Sequence, residues 1–112
     1  MEPNSVVHAV THRIEHEPVP GDQSVSGAPS TGVTELGEFG GLDVGIWEMT
    51  TGVMRDVEAE EIFVVLSGSA TVEFADGTAP LTVGPGDVVR LAAGAQTVWT
   101  VTETLRKVYL VG

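Results

Sequence analysis

EIFVVLSGSATVEFADG, residues 61–77, is the stretch that decides the fold of this chain. Its first part, residues 62–66, is an apolar run short enough to be a buried strand. After Gly68, apolar and polar side chains alternate, as they do along a strand with one buried face. Asp76 and Gly77 then form the dipeptide that a tight β-hairpin prefers. The stretch therefore predicts two strand segments that lead into a hairpin.

Similar short strands continue on both sides of this stretch. Turn signals separate them at close spacing, and the chain contains 14 Gly and 6 Pro. Such spacing is typical of a β-barrel or a double-sheet jelly roll, so we predict an all-β domain over residues 31–112. The predicted strands lie at residues 33–39, 42–49, 62–66, 70–74, 81–83, 88–91, 97–102 and 105–111.

The first 30 residues differ from the rest, because Pro and Gly interrupt any regular element there. We predict that residues 1–30 form an extended arm that lies over the barrel or over a partner subunit. His8, His12 and His16 are spaced four residues apart, and on a helix they could chelate a transition metal. Pro18 and several β-branched residues argue against a long helix, so we expect ordinary surface or packing histidines.

Composition excludes several classes of function. The net charge of −11 disfavours nucleic acid and anionic lipid, since both need cationic contacts. No segment approaches the roughly 20 apolar residues that span a bilayer. The absence of cysteine excludes disulfides, thiolate zinc sites and cysteine nucleophiles. With no secretory signal visible at the N-terminus, we expect a cytoplasmic protein.

The order and spacing of these motifs resemble the cupin superfamily. Within it, the chain resembles the short single-domain cupins grouped with (S)-ureidoglycine aminohydrolase. The resemblance runs over residues 45–111. The segments that carry it are Gly45–Glu48, Glu61–Gly68, Asp76-Gly77, Gly84–Asp87, Trp99–Val101 and Arg106–Tyr109.

The resemblance implies a jelly-roll β-barrel with a pocket at one end, in which many cupins bind Mn, Fe, Zn or Ni through three histidines and a glutamate. Here Glu61 stands at the glutamate position and Thr97 at the third histidine position. No metal is therefore expected; the alternative is a weakly bound divalent cation on Glu61 with Asp56. The first two histidine positions fall on Met54 and Asp56 or on Arg55 and Val57, while the opposite count gives Glu58 and Glu60.

Charge is concentrated just before the decisive strand, where Asp56, Glu58, Glu60 and Glu61 follow one another closely. This cluster would suit a hard cation, but a solvated acidic loop is the commoner structure, and we expect the loop. If Glu61 lies unpaired in the barrel, its pKa would rise and it would serve as the catalytic acid or base. Its possible partners are Arg55, Arg90 and Lys107.

Strand alternation places Glu61 and Phe63 on one face and Thr97 and Trp99 on one face of another strand. In a cupin barrel both faces would line the interior, giving a pocket with apolar walls and a few polar groups. Tyr109 is expected to join them. The predicted ligand pocket consists of Trp47, Arg55, Glu61, Phe63, Thr97, Trp99 and Tyr109.

Three functions follow from this reading. The first is a homodimeric cupin that binds a small organic molecule in its barrel without the three-histidine metal site. The second is an enzyme that acts on a small polar metabolite, such as a ureido compound or a sugar derivative, through Glu61. The third is a non-catalytic dimeric accessory protein. Whether the chain is an enzyme stays open at this point, because a fold does not determine a function.

Overall fold

The computed structural model describes all residues from 1 to 112 and contains nine β-strands and no helix. None of its elements is therefore a helix that could span a membrane. The strands are β1 (Glu17–Pro18), β2 (Ser24–Ser26), β3 (Ser30–Phe39), β4 (Leu42–Met49), β5 (Gly52–Val57), β6 (Glu61–Phe74), β7 (Leu81–Val83), β8 (Val88–Leu91) and β9 (Gln96–Val111).

Two long strands, β6 and β9, run antiparallel along most of their lengths and hold the domain together. The first part of β6 and the last part of β9 belong to one half-sheet with β1, β3, β4 and β8. The other ends of β6 and β9 belong to a second half-sheet with β2, β5 and β7. The curled antiparallel sheet is therefore a jelly roll whose two half-sheets are continuous through β6 and β9.

Gly68 lies where β6 passes from one half-sheet to the other. The register between β6 and β9 shifts three times between Val65 and Ala70. The φ angle of Gly68 is +88°, and a Cβ atom at this position would overlap the carbonyl oxygen of Thr104 on β9. Only glycine accommodates both this backbone conformation and this close approach, so Gly68 allows the two long strands to bend together.

The hydrophobic core fills the space between the two half-sheets. Phe63 and Val65 from β6 are buried there together with Trp99 from β9. The Trp99 ring lies 5.8 Å from the Phe63 ring and 5.7 Å from the Trp47 ring, centroid to centroid. The core thus places a group of aromatic rings beside the end of the barrel where Trp47 is partly exposed.

The N-terminal arm lies on the outer face of its own barrel. Arg106 of β9 donates hydrogen bonds from Nη1 to the carbonyl oxygens of Ala9, Val10 and His12, at 2.9, 3.3 and 2.5 Å. A Cβ atom at Gly32 of β3 would overlap the carbonyl oxygen of Glu15, so the arm also passes directly over β3. The arm is therefore held both by backbone contacts and by its own side chains, since Ile14 and Val19 are buried against the barrel.

The arm histidines do not form a common site. His8 and His12 lie at a single turn closed by a 3.0 Å hydrogen bond from the His12 N–H to the His8 carbonyl oxygen. The Nε2 atom of His16 lies 3.0 Å from Oε1 of Glu48 on the barrel. The turn does not continue as a helix, so the helical face that would align the three imidazoles does not exist.

The all-β prediction is confirmed, and three predicted strands coincide with β4, β7 and β8. Two predicted breaks are wrong: the segments at 62–66 and 70–74 are one strand, and so are those at 97–102 and 105–111. Bulges bend these long strands without ending them. Strand β5 was not predicted, because its inward row combines apolar Met54 with charged Asp56.

Candidate functional site

A cavity of about 180 Å³ opens between the two half-sheets at one end of the barrel. It combines aromatic walls with acidic side chains and a single lysine. Alternation along β5 turns Met54 and Asp56 inward, and the chain that follows β5 adds Glu58. The cavity is lined by Val33, Trp47, Met54, Asp56, Glu58, Glu61, Trp99, Lys107, Tyr109 and Val111.

Lys107 of β9 and Glu61 of β6 form a buried ion pair inside the barrel. The Nζ atom of Lys107 lies 2.7 Å from Oε1 of Glu61, and the two side chains are only 6% and 8% exposed. The same Nζ lies 4.1, 4.6 and 5.0 Å from the ring centroids of Phe63, Trp47 and Trp99. Carboxylate and ring faces together stabilise the ammonium group in this apolar setting.

Glu58 is buried at the rim of the cavity and held by two donors. Its Oε2 atom accepts hydrogen bonds from Oγ1 of Thr97 at 2.5 Å and from Nε1 of Trp99 at 2.9 Å. Its backbone N–H donates to the Ala95 carbonyl oxygen at 2.9 Å. Thr97 therefore positions Glu58, and the Trp99 indole connects Glu58 to the aromatic group around Lys107.

Of the three acids in the cavity, Asp56 is the one without a hydrogen bond from another side chain. Its Oδ1 atom accepts a hydrogen bond of 2.8 Å from the backbone N–H of Val57. Burial raises the pKa of the Asp56 carboxyl and the nearby charge of Glu58 raises it further, while the Val57 N–H and Lys107 act in the opposite direction. A carboxyl in this position is able to accept and release a proton within the cavity.

Tyr109 forms part of the cavity wall on the side of β4. A Cβ atom at Gly45 would overlap the Tyr109 ring and hydroxyl, so the absence of a side chain at Gly45 makes room for the tyrosine. Burial raises the pKa of the Tyr109 hydroxyl, and the carboxylates of Glu35, Asp43 and Glu61 contribute to the increase. The hydroxyl is therefore held in its neutral form, as a donor or an acceptor.

The residues of this cavity do not fit the metal set that the cupin resemblance implies. Glu61, at the glutamate position, binds the ammonium group of Lys107. Thr97, at the third histidine position, is hydrogen-bonded to Glu58. No group of three or more His, Asp or Glu side chains is arranged to hold a metal ion. Weak binding of a divalent cation by Glu61 with Asp56 stays a prediction. We therefore derive no chemistry through a metal.

The structure brings most of the predicted pocket together. Trp47, Glu61, Trp99 and Tyr109 line the cavity. Phe63 and Thr97 lie directly behind the lining, where Phe63 contacts Lys107 and Thr97 contacts Glu58.

Arg55 is not part of the cavity. Its side chain alternates with the inward-facing Met54 and Asp56, is exposed, and lines a groove on the outer surface. The predicted pocket omitted the other lining residues, which are Val33, Met54, Asp56, Glu58, Lys107 and Val111. Lys107 was among the possible partners of Glu61, and its shared face with Tyr109 was the signal for it. Glu58 was expected in a solvated loop, and its burial could not be read from a run of acidic residues.

The groove that contains Arg55 is larger than the cavity, at about 620 Å³. It lies over the outer faces of β2, β5 and β9 and includes Val57, which is 67% exposed. It shares Asp56 with the cavity and also contains Thr97. Its other ionic side chains, those of Asp22, Arg55 and Glu73, are exposed, and no aromatic ring pair encloses it. The inner cavity is the better candidate site, because its polar groups are desolvated and converge between aromatic walls.

Comparison with solved structures shows the same fold in proteins of little-known function. The chain is similar to a protein of unknown function of the DUF861 family from Pseudomonas syringae pv. tomato, with 26% identity and a TM-score of 0.77. That match covers 92% of this chain but 46% of the other, so the chain spans about half the length of its relative.

Two further structures are similar at identities that show the fold alone. One is the EutQ protein of Clostridium difficile, with 13% identity and a TM-score of 0.71 over 95% of this chain and 84% of that one. The other is a putative ethanolamine utilization protein Q from Salmonella typhimurium, with 17% identity and a TM-score of 0.65 over 90% and 96%. A comparison with curated proteins found no match.

These structures confirm the predicted cupin barrel. A sequence model of the EutQ-like cupin domain matches residues 36–109, which is well over half of the chain. The match contains β4 to β8 entire and most of β9, and therefore nearly every residue that lines the cavity. The chain belongs to the EutQ-like cupin family.

Proposed function

We propose that this protein binds a small organic molecule in the cavity of its barrel. The observation that carries the proposal is the meeting of aromatic walls with largely buried ionic groups in one cavity at the end of the barrel. Trp47, Trp99 and Tyr109 offer apolar surface, and Glu61 and Lys107 offer groups that would fix a ligand's orientation. Sites of this kind obtain affinity from the walls and specificity from a few polar atoms.

The experiment uses the two tryptophans as reporters, because the chain has no others and both line the cavity. A library of small polar metabolites is titrated into the full chain, and the two indole N–H signals are followed by NMR. Ligands of the cavity are expected to move both signals in one saturable titration. The Trp99 signal should be the more sensitive, because its N–H donates to Glu58.

Two variants locate the binding. Tyr109→Ala removes part of the cavity wall and should weaken binding by about tenfold or more, since roughly 1.4 kcal/mol of contact is a factor of ten. Arg55→Gln changes a charged residue of the outer groove and should leave binding unchanged. Signals that move only at Arg55 and its neighbours, with the indoles unaffected, would place the ligand in the groove and contradict the proposal.

A second candidate is an enzyme that acts on a small polar metabolite of the ureido class, in line with the resemblance to ureidoglycine aminohydrolase. The raised pKa of Asp56 favours it, because a cavity carboxyl with such a pKa suits general acid–base catalysis. Glu61 would then orient Lys107 while Asp56 transfers the proton. Ammonia released from ureido compounds by the wild type and lost in Asp56→Asn would support this function, with Glu73→Gln as a matched exposed control.

We also propose that the protein is a cytoplasmic homodimer. The outer face of the first half-sheet presents a row of apolar side chains on paired strands: Val44, Leu110 and Ile62, with Val108, Val64 and Val88 beside them. Ile62 and Val88 are 40% and 64% exposed. Such a face would be covered by a second copy. Light scattering should give twice the chain mass for the wild type, and Val88→Glu should give a monomer.

A further inference from the structure

The charges around the cavity are not balanced. Three carboxylates line it, those of Asp56, Glu58 and Glu61, against the single ammonium group of Lys107. The ion pair of 2.7 Å between Lys107 and Glu61 uses that one cation. Asp56 and Glu58 therefore form no ion pair of their own, and desolvated charges without such partners are costly.

Each of the three carboxylates also has an oxygen atom that receives no hydrogen bond from the protein. Asp56 uses Oδ1, Glu58 uses Oε2, and Glu61 uses Oε1 for their contacts within the chain. The second oxygen of each carboxylate is left without a protein donor. Glu58 and Glu61 are more than nine-tenths buried and both line the cavity, and no side-chain oxygen without a partner is completely buried, so their free oxygens stay accessible to a small molecule.

A depression beside the cavity carries the same charge. This depression of about 540 Å³ shares Tyr109 and Val111 with the cavity and contains Glu35, Glu38 and Asp43, with no lysine or arginine. Clefts lined by charges of one sign between low-dielectric walls concentrate the opposite ion. A molecule that approaches the cavity by this route meets negative potential before it meets any cation.

We infer that the ligand of the barrel is a small organic cation, a primary amine, whose ammonium group pairs with the free oxygens of Asp56 and Glu58. This inference rests on the proposed function. An anion would find one lysine already paired with Glu61 and two uncompensated carboxylates beside it. The cavity of about 180 Å³ has room for roughly six water molecules, which limits the ligand to a short carbon chain.

The test compares three small molecules of the same chain length that differ in charge: n-butylamine, 1-butanol and butyrate. Each is titrated into the full chain at neutral pH while the two indole N–H signals are followed. Butylamine is expected to bind at least tenfold more tightly than butanol, and butyrate to leave the signals unmoved. Added salt should weaken butylamine binding, because it screens the attraction between the ammonium group and the carboxylates in and beside the cavity.

A charge-matched pair of variants tests the position of the ammonium group. Asp56→Asn should weaken butylamine binding by about tenfold, the loss of one charge-assisted hydrogen bond. Asp22→Asn removes the same charge from an exposed residue outside the cavity and should change the affinity by less than about twofold. Equal losses in both variants would overturn the inference, because net charge rather than local pairing would then account for binding.

The remaining outcomes separate this inference from the proposed function. If butyrate binds as tightly as butylamine, the ligand is not selected as a cation, while the barrel stays a binding site. If none of the three probes moves the indole signals but a neutral library compound does, the inference is again overturned and the proposed function stands. If no compound of the whole metabolite library moves them, the proposed function itself fails.

Discussion

Two consecutive cations on β9, Arg106 and Lys107, face opposite sides of the same barrel wall. Arg106 points outward and pairs with Glu48 of β4, with 2.5 Å between Nη2 and Oε2. Lys107 points inward and pairs with Glu61 of β6 at 2.7 Å. All four side chains are at most 12% exposed. By burial and distance alone the two ion pairs are equivalent.

The two ion pairs differ in how many of their hydrogen-bond donors and acceptors have a partner within the protein. Nη1 of Arg106 donates hydrogen bonds to carbonyl oxygens of the arm. The second carboxylate oxygen of Glu48, Oε1, lies 3.0 Å from Nε2 of His16. Lys107 has three N–H donors but a single hydrogen bond, to Glu61. The saturated outer pair stabilises the fold by fixing the arm, whereas the inner pair leaves donors of Lys107 and one oxygen of Glu61 without a hydrogen bond in the wall of the cavity. The two ion pairs are therefore distinguished less by their burial than by whether all their donors and acceptors have hydrogen-bond partners within the protein.

The largest effect is expected from Lys107→Met, which breaks the inner pair and leaves Glu61 charged in the barrel. Removing one partner of a buried pair lowers the free energy of unfolding by about 3–5 kcal/mol. Urea denaturation followed by tryptophan fluorescence measures this loss. The double variant Lys107→Met with Glu61→Gln removes the stranded charge and should recover a large part of it. A double variant no more stable than the single one would contradict this account of the inner pair.

Arg106→Met should break the outer pair at a smaller cost, about 2 kcal/mol, because the arm carbonyls regain water and Glu48 keeps His16. The arm should then detach, and trypsin should cleave after the exposed Arg13 faster than in the wild type. Butylamine binding should not change, since the cavity lies on the other side of the wall. If Arg106→Met lost butylamine binding, the inner and outer faces of the barrel wall would be coupled. The distinction between a structural outer pair and an inner pair at the cavity would then be wrong.

Gly45→Ala is expected to lower the free energy of unfolding by about 1–2 kcal/mol, within the usual range for overpacking. The added methyl group overlaps the Tyr109 ring, which is only half-buried and can swing away. The inner site should lose a wall, and small-molecule affinity should fall with it. Gly84→Ala is the control, because its nearest neighbour lies 4.0 Å from the added atom. Equal losses would indicate a backbone effect instead of a displaced tyrosine.

The barrel could be predicted from sequence because its signals are local. Alternation along β6 and the Asp76-Gly77 turn depend on neighbouring residues only. The interior position of Glu61 was implied by the resemblance to cupins. Strand β5 depends on its pairing with β9. The buried state of Glu58 depends on Thr97 and Trp99, which lie 39 and 41 residues away in sequence. A sequence of acids reads as a solvated loop until the tertiary donors for those acids are known.

The pairing of Arg106 with the arm was equally beyond reach from sequence. The arm contributes backbone carbonyl groups, and every residue carries one, so no side-chain pattern marks the contact. Choosing Lys107 over Arg55 and Arg90 as the partner of Glu61 needed the strand pairing of β6 with β9. The sequence was enough to predict which side chains share a face of a strand. It was not enough to predict which of several distant residues pair with one another.

The smallest effect concerns Asp56, and its sign is opposite to that of the other variants. Burial and Glu58 raise the pKa of Asp56 above its ordinary value of 3.8, so the folded state holds the proton more tightly than the unfolded state. Stability therefore falls as pH rises from 3.8 through the folded-state pKa, and the ionised carboxylate destabilises the fold above that window. Asp56→Asn should be slightly more stable than the wild type at neutral pH and lack this acidic decline.

Asp76→Asn is the matched control for this prediction, because hydrogen bonds from Thr78 lower the pKa of Asp76. Its ionised form stabilises the fold above pH 3.8, so this variant should be less stable at neutral pH, although both variants remove one negative charge. Urea midpoints measured from pH 3 to pH 8 compare the two. If the stability of both variants changes in the same direction, the net charge of the chain accounts for the result. The ionised carboxylate of Asp56 would then not be a local source of instability in the barrel.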